Sequence, residues 1–74
     1  MADHTLDAKG LNCPLPIMQA KKLMKGLEPG ETLEIFATDP GSVKDFESFC
    51  RATCNTLVEQ SQEDDVHRFV LKKN

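Results

Sequence analysis

The stretch Gly10-Leu11-Asn12-Cys13-Pro14-Leu15-Pro16 separates a short alternating segment from a long helical one, with a cysteine at the junction. Proline is tolerated in the first turn of a helix, where the N–H it lacks would have no intrahelical partner. Pro14 and Pro16 therefore fit positions N1 and N3, which puts Cys13 at the N-cap. Proline also disfavours the α region for the residue before it, so Pro14 pushes Cys13 toward an extended conformation and holds its side chain at the helix mouth. A helix N-terminus carries roughly half a positive charge, and thiols so placed fall from a pKa of about 8.5 to roughly 3.5–7.5. The expectation is a thiolate at neutral pH, and Cys13 is the candidate catalytic residue. Pro16 stands where a Cys-x-x-Cys motif would carry its second thiol, so there is no local resolving cysteine. A lone thiolate of this kind suits holding a group such as a persulfide sulfur better than closing a disulfide. The other reading is a cysteine chosen for its size at a helix start, and spacing alone does not separate the two.

Working outward, Thr5 to Lys9 reads as a first strand, with Leu6 and Ala8 on one face, Asp7 on the other, and Gly10 as its end. From Pro14 to Leu27, Ile17, Ala20, Leu23, Met24 and Leu27 fall at helical spacing, and Gly26 with Pro29-Gly30 supplies the stop. At about 100° per residue, Leu15 and Met18 fall outside that stripe, beside Lys22 and Lys25. Two apolar side chains flanked by cations close to Cys13 make a candidate docking rim, the alternative being ordinary exposed side chains. Glu31 to Thr38 alternates as a second strand, with Leu33, Ile35 and Ala37 inward and Phe36 on the wetter face. Asp39-Pro40-Gly41-Ser42 is a turn into a second helix from Val43 to about Cys54, with Ser42 and Asp45 approximating a capping box. The apolar stripe of that helix is Val43, Phe46, Phe49, Cys50 and Thr53, with Cys54 at its margin.

Cys50 sits in the middle of the buried face, where a free thiol behaves as a small hydrophobe. Cys54 lies near the helix end, open to oxidation, to an intermolecular disulfide, or to resolving a persulfide on Cys13 if the two come close. Thr56 to Ser61 and Val66 to Lys72 read as a terminal hairpin around the acidic turn Gln62-Glu63-Asp64-Asp65. The last strand has Val66 and Val70 on one face and Phe69 and Leu71 on the other, which predicts a central strand or one packed on both sides. The order βαβαββ predicts a single domain over residues 1–74, an α/β (α+β) two-layer sandwich.

Composition narrows the chemistry. The chain has 74 residues, enough for one small core. Twelve acids against nine bases leave a net charge of −3 and no broad basic surface, so direct nucleic-acid binding is not expected. The imbalance is uneven: residues 1–30 sum to +1 and the remainder to −4. No apolar run reaches the roughly 18 residues of a membrane span, and no secretory core is apparent. Three cysteines, an odd number, argue against a disulfide framework and for a reducing, cytoplasmic compartment. Cys13, Cys50, Cys54, His4 and His67 match no zinc spacing, so no metal and no cofactor is expected, and both histidines read as surface residues.

From about His4 to Lys73 the chain resembles the TusA/SirA-like family of small sulfur-carrier proteins. The resemblance rests on Leu6-Asp7, Gly10-Leu11-x-Cys13-Pro14-x-Pro16, Pro29-Gly30-Glu31-x-Leu33, Asp39-Pro40, Phe49-Cys50 and Arg68-Phe69-Val70-Leu71-Lys72, in that order. It implies two helices on one face of a four-stranded mixed sheet. It also implies a sulfurtransferase-like carrier whose Cys13 accepts a sulfane sulfur from a cysteine desulfurase or rhodanese-like donor. The acceptor would be of the TusBCD or DsrE-like kind, in tRNA thiolation, molybdenum-cofactor supply or sulfur oxidation. The competing reading is a noncatalytic regulatory or binding module in which Cys13 only caps a helix.

Overall fold

A computed structural model describes residues 4–12 and 15–74. The elements run β1 (His4–Ala8), α1 (Leu15–Lys25), β2 (Thr32–Ala37), α2 (Ser42–Thr53), β3 (Thr56–Glu63) and β4 (Val66–Lys72). They form one sheet in the order β1-β2-β4-β3, with β1 and β2 parallel and the other pairs antiparallel. Parallel strands need a crossover, which α1 supplies. The expected two-layer sandwich, with two helices against a four-stranded mixed sheet, is what the chain adopts.

Strand alternation explains which face the helices cover. Leu6 pairs with Ile35, and Ile35 with Phe69; Leu33 pairs with Leu71, and Leu71 with Leu57. Residues paired directly share a face. These side chains cluster with Ala20, Met24, Phe46, Phe49 and Cys50 from the helices. Ala8, Ala20 and Ala37 are fully buried, and their small size lets α1 approach the sheet closely. Phe46 anchors α2, its ring 4.8 Å from Phe69 and edge-on to Phe49 at 6.4 Å. β4 is central as expected, with Phe69 and Leu71 in the core and Val70 buried on the opposite face. That opposite face holds half-buried Phe36 and Arg68, whose guanidinium donates to Glu34 and lies 3.5 Å from Glu59.

Several expectations shift. The inner stripe of α1 is Pro16, Ala20 and Met24, continued by Leu27, with Ile17 half-buried. Leu23, expected inside, is exposed, because the helix is rotated so that its inward line runs through Ala20 and Met24. Ser42 does not cap α2: the cap is Gly41, with no side-chain bond, and Ser42 is the first helical residue. It is buried one turn before Phe46, whereas Thr53 at the far end is exposed and donates to the Phe49 carbonyl. Helix α2 ends at Cys54, which adopts φ +61°, with Asn55 N–H donating to the Cys50 carbonyl. The two bonds made by Cys54 and Asn55 form a Schellman closure. Strand β3 extends to Glu63, and the predicted four-residue turn shrinks to Asp64-Asp65, with Asp64 at φ +55°. Register slips between Leu57 and Glu59, leaving Val58 exposed in a bulge.

The last two residues close the end of the sandwich opposite the β1–α1 junction. Lys73 exchanges backbone bonds with Gly30 and Glu31, and its ammonium donates to the Met24 carbonyl at 2.8 Å, capping α1.

Candidate functional site

Strands β1 and β2 are parallel and each leads into a helix, so α1 and α2 both begin at the carboxyl ends of these strands. The partial positive charges of two helix N-termini therefore gather at one end of the molecule. Cys13 and Pro14 lie outside the described residues, and with them the expected N-cap and N1 positions. The residues on either side of them are fixed.

After Ala8 the chain turns: Leu11 N–H donates to the Ala8 carbonyl at 3.2 Å, and Leu11 packs half-buried against the core. Gly10 has φ +82°, a conformation that favours glycine because any Cβ would strain it. Its N–H donates to Thr38 Oγ1 at 2.9 Å, tying the β1–α1 loop to the end of β2. Beyond the junction, Leu15 N–H donates to the Asn12 carbonyl at 2.9 Å, so the chain enters and leaves the Cys13-Pro14 pair at two points bonded together. Pro16 stands second in α1, where its missing N–H costs nothing, and its ring is buried.

Of the expected docking residues, Leu15 is 45% and Met18 59% exposed, and Lys22 and Lys25 are exposed with them on the outer side of α1. Leu23, expected inside, is also exposed, at the edge of the buried stripe. Thr38, Pro40, Gln62, Asp65 and His67 line an open recess of about 560 Å³ at the same end of the sheet. His67 is not a surface residue: its place opposite Ala37 on the helix-covered face buries it against the Phe69 ring. His4 is exposed and lies 3.5 Å from Glu31.

The other thiols separate by environment. Cys50 is buried in the core as expected, and burial pushes its thiol pKa up from the ordinary value. Cys54 is exposed at the far end of α2. Twelve helical residues span about 18 Å, and α2 begins at the end of the sheet where the Asn12–Leu15 turn lies, so Cys54 and that turn are at opposite ends of the sandwich. Among the described residues no cluster of metal-ligating side chains occurs, and no helix is long and apolar enough to cross a membrane.

Thr38, Ser42 and His67 were not legible as members of this end. Their placement depends on the parallel pairing of β1 with β2 and on β4 returning beside β2, which no local pattern carries.

A family model described as sulfurtransferase TusA matches residues 4–73. A sulfur carrier protein TusA from Allochromatium vinosum is 50% identical over 72 residues, covering 97% of this chain and 95% of that protein. A Bacillus subtilis relative, YrkI, is 43% identical over 72 residues, covering 97% and 96%. The crystal structure of a SirA-like protein from Desulfitobacterium hafniense superposes with a TM-score of 0.84 at 24% identity, covering 93% of this chain and 95% of that one. At that identity the likeness speaks to the fold.

Proposed function

Because this chain belongs to the sulfurtransferase TusA family of sulfur carriers, we propose that it carries a sulfane sulfur as a persulfide on Cys13 and passes it to a partner protein. The observation that supports the reading is the bracketed junction: a turn closed from Asn12 to Leu15, at an end of the sheet where two helices begin. The transfer balances without an oxidant. The Cys13 thiolate attacks the outer sulfur of a donor perthiol, the S–S bond of the donor breaks, and the donor leaves as its thiolate. In the second half an acceptor thiolate attacks the outer sulfur on Cys13, and Cys13 leaves as a thiolate ready for another cycle. Activation is electrostatic, from the helix N-terminus, and no adjacent base is required.

Leu15, Met18, Lys22 and Lys25 form the docking rim on the exposed side of α1, apolar near the junction and cationic further on. The donor is a cysteine desulfurase or a rhodanese-like protein, and the acceptor a thiol protein of the TusBCD or DsrE-like kind. The uncrosslinked thiols of Cys50 and Cys54 suit a reducing cytoplasm.

The test is an intact mass of the reduced protein after incubation with a cysteine desulfurase and cysteine, followed by peptide mapping. The expected result is a gain of one sulfur on Cys13, abolished in Cys13→Ser with the fold unchanged. Loading retained by Cys13→Ser refutes the proposal. If neither that desulfurase nor a rhodanese with thiosulfate loads the wild type, while both load a control acceptor, the carrier reading gives way to a binding module.

A further inference from the structure

His67 is a buried titratable side chain that the sulfur chemistry does not use. It is 9% exposed, on the helix-covered face of the central strand β4, with its ring 6.3 Å from that of Phe69. Among the described residues, none hydrogen-bonds to its imidazole. A polar ring placed this way loses its water without gaining a partner, which costs folding free energy. Its neighbours show what the ring borders instead. His67 is paired directly with Ala37 on one side and Gln62 on the other, so the three side chains share a face. Ala37 brings only a methyl group, and His67 lines the open recess of about 560 Å³ together with Thr38, Pro40, Gln62 and Asp65.

The polar groups of this recess are mostly acceptors. Gln62 Nε2 is already spent on the Asp64 carbonyl at 2.9 Å, which leaves Oε1 as its free group. Asp65 contributes an exposed carboxylate, the one formal charge of the lining, and a neutral imidazole adds an acceptor nitrogen. Asp39, Glu63 and Asp64 adjoin the lining residues in the chain, whereas the basic neighbour, Arg68, lies on the opposite face of the sheet and donates to Glu34. The positive end of α2, which begins just past Pro40, is answered by its own acids, Asp39 and Asp45. An acceptor-rich, negative recess takes a cation with several N–H donors and repels phosphate or carboxylate. A guanidinium carries its donors in one planar fork that meets acceptors on several sides at once, whereas an ammonium is a compact, strongly hydrated point charge. Small-molecule sites enclose most of their ligand, but this recess is open to solvent and its carboxylate is exposed, so a free cation is poorly held and one that arrives on a larger surface is held better. We propose that the recess receives the guanidinium of an arginine side chain from a docking protein, with the Asp65 carboxylate, Gln62 Oε1 and the acceptor nitrogen of His67 taking its N–H groups.

The test titrates the reduced full chain with N-acetyl-arginine N-methylamide to high millimolar concentration at fixed ionic strength and pH, following the imidazole nitrogens and backbone amides by NMR. The expected result is a saturable shift at His67, with the same dissociation constant read from the amides of Gln62 and Asp65, while exposed His4 stays still. The corresponding citrulline amide, neutral and of the same shape, binds about fivefold more weakly, and Asp65→Asn weakens the arginine probe by a similar factor. Asparagine is at home in a turn, and the amide spectrum of the variant reads its fold directly. Absence of a saturable shift at His67 marks a recess that water alone fills and overturns the site. Equal binding of the citrulline amide, or of the corresponding lysine amide, overturns the guanidinium assignment. Free L-arginine binding about tenfold or more tighter than the blocked amide overturns the docking-protein source in favour of a small metabolite. None of these readouts involves sulfur loading, so the inference stands or falls apart from the carrier reading.

Discussion

Replacing Cys54 by glycine is expected to make the protein more stable. Cys54 is an L-residue held at φ +61° where α2 closes. The left-handed region costs such a residue about 1–2 kcal/mol. Glycine avoids that cost but loses about 0.4–1 kcal/mol through the greater freedom of its unfolded chain. The side chain is exposed, so truncating it removes no core packing. The bonds of the closure, Cys54 N–H to the Arg51 carbonyl and Asn55 N–H to the Cys50 carbonyl, are backbone bonds that glycine keeps. The net gain is about 0.5–1 kcal/mol, and in a domain of this size that raises Tm by about 2–8 °C. Urea titrations under reducing conditions, with matched m-values, measure it. Cys54→Ala is the decisive control, since it removes the thiol and keeps the strained backbone. If alanine stabilises as much as glycine, the benefit comes from losing the thiol and the backbone argument is refuted. Sulfur loading of Cys54→Gly should equal wild type, because residue 54 lies at the opposite end of α2 from the Cys13 loop.

Thr38→Val removes the acceptor for Gly10 N–H; a loss of about 0.5–1.5 kcal/mol and slower loading of Cys13 are expected, measured by urea titration and time-resolved intact mass. Cys50 should resist alkylation in the folded protein and react only on unfolding, because burial raises its pKa. The same shift gives alkaline sensitivity. Below the ordinary thiol pKa the neutral thiol is favoured in both states; above it the unfolded chain ionises first while burial holds the folded thiol neutral, so stability falls as pH rises, and Cys50→Ala should flatten that limb of a pH–stability profile. Lys22→Glu combined with Lys25→Glu should slow sulfur loading by an acidic-surfaced donor at low salt. That defect should shrink as salt shortens the Debye length from about 10 Å at 0.1 M to about 3 Å at 1 M, and equal loading rates at low salt would remove these lysines from the docking rim.

The parts of this molecule that repeat along the chain were legible in its sequence. Period-two alternation placed Leu6 and Ala8, and Leu33, Ile35 and Ala37, on the buried face, and all five are buried. Helical spacing put Cys50 inside, and Leu15 and Met18 outside. The errors lie where chain ends and partners decide. Ser42 has the residue type of a cap, but backbone bonds from Asp39 and Gly41 had already closed that turn. Leu23 sits at the edge of its stripe, where a small rotation of α1 decides between core and solvent. His67 looked like a lone polar residue in a strand; the central position of β4 buried it. The bulge at Val58 depends on how β3 meets β4, and neither strand announces it alone.

The two ends of the sandwich divide the labour, and topology is the reason. A parallel β1–β2 pair forces α1 and α2 to run in the same sense, so both positive ends fall on the side of the cysteine loop and both negative ends on the other. The negative side is closed by the chain itself. The Lys73 ammonium meets the last carbonyls of α1, and Asn74 bonds to Asn55 and to the Cys54 carbonyl. The positive side is covered unequally: α2 has Asp45 in its first turn and Asp39 accepting from Gly41 at its start, whereas α1 has no acidic residue in its first turn. An acidic side chain there would compete with an anionic sulfur for the same field. Under the proposed carrier function, a thiolate at position 13 would be the negative charge that this end receives.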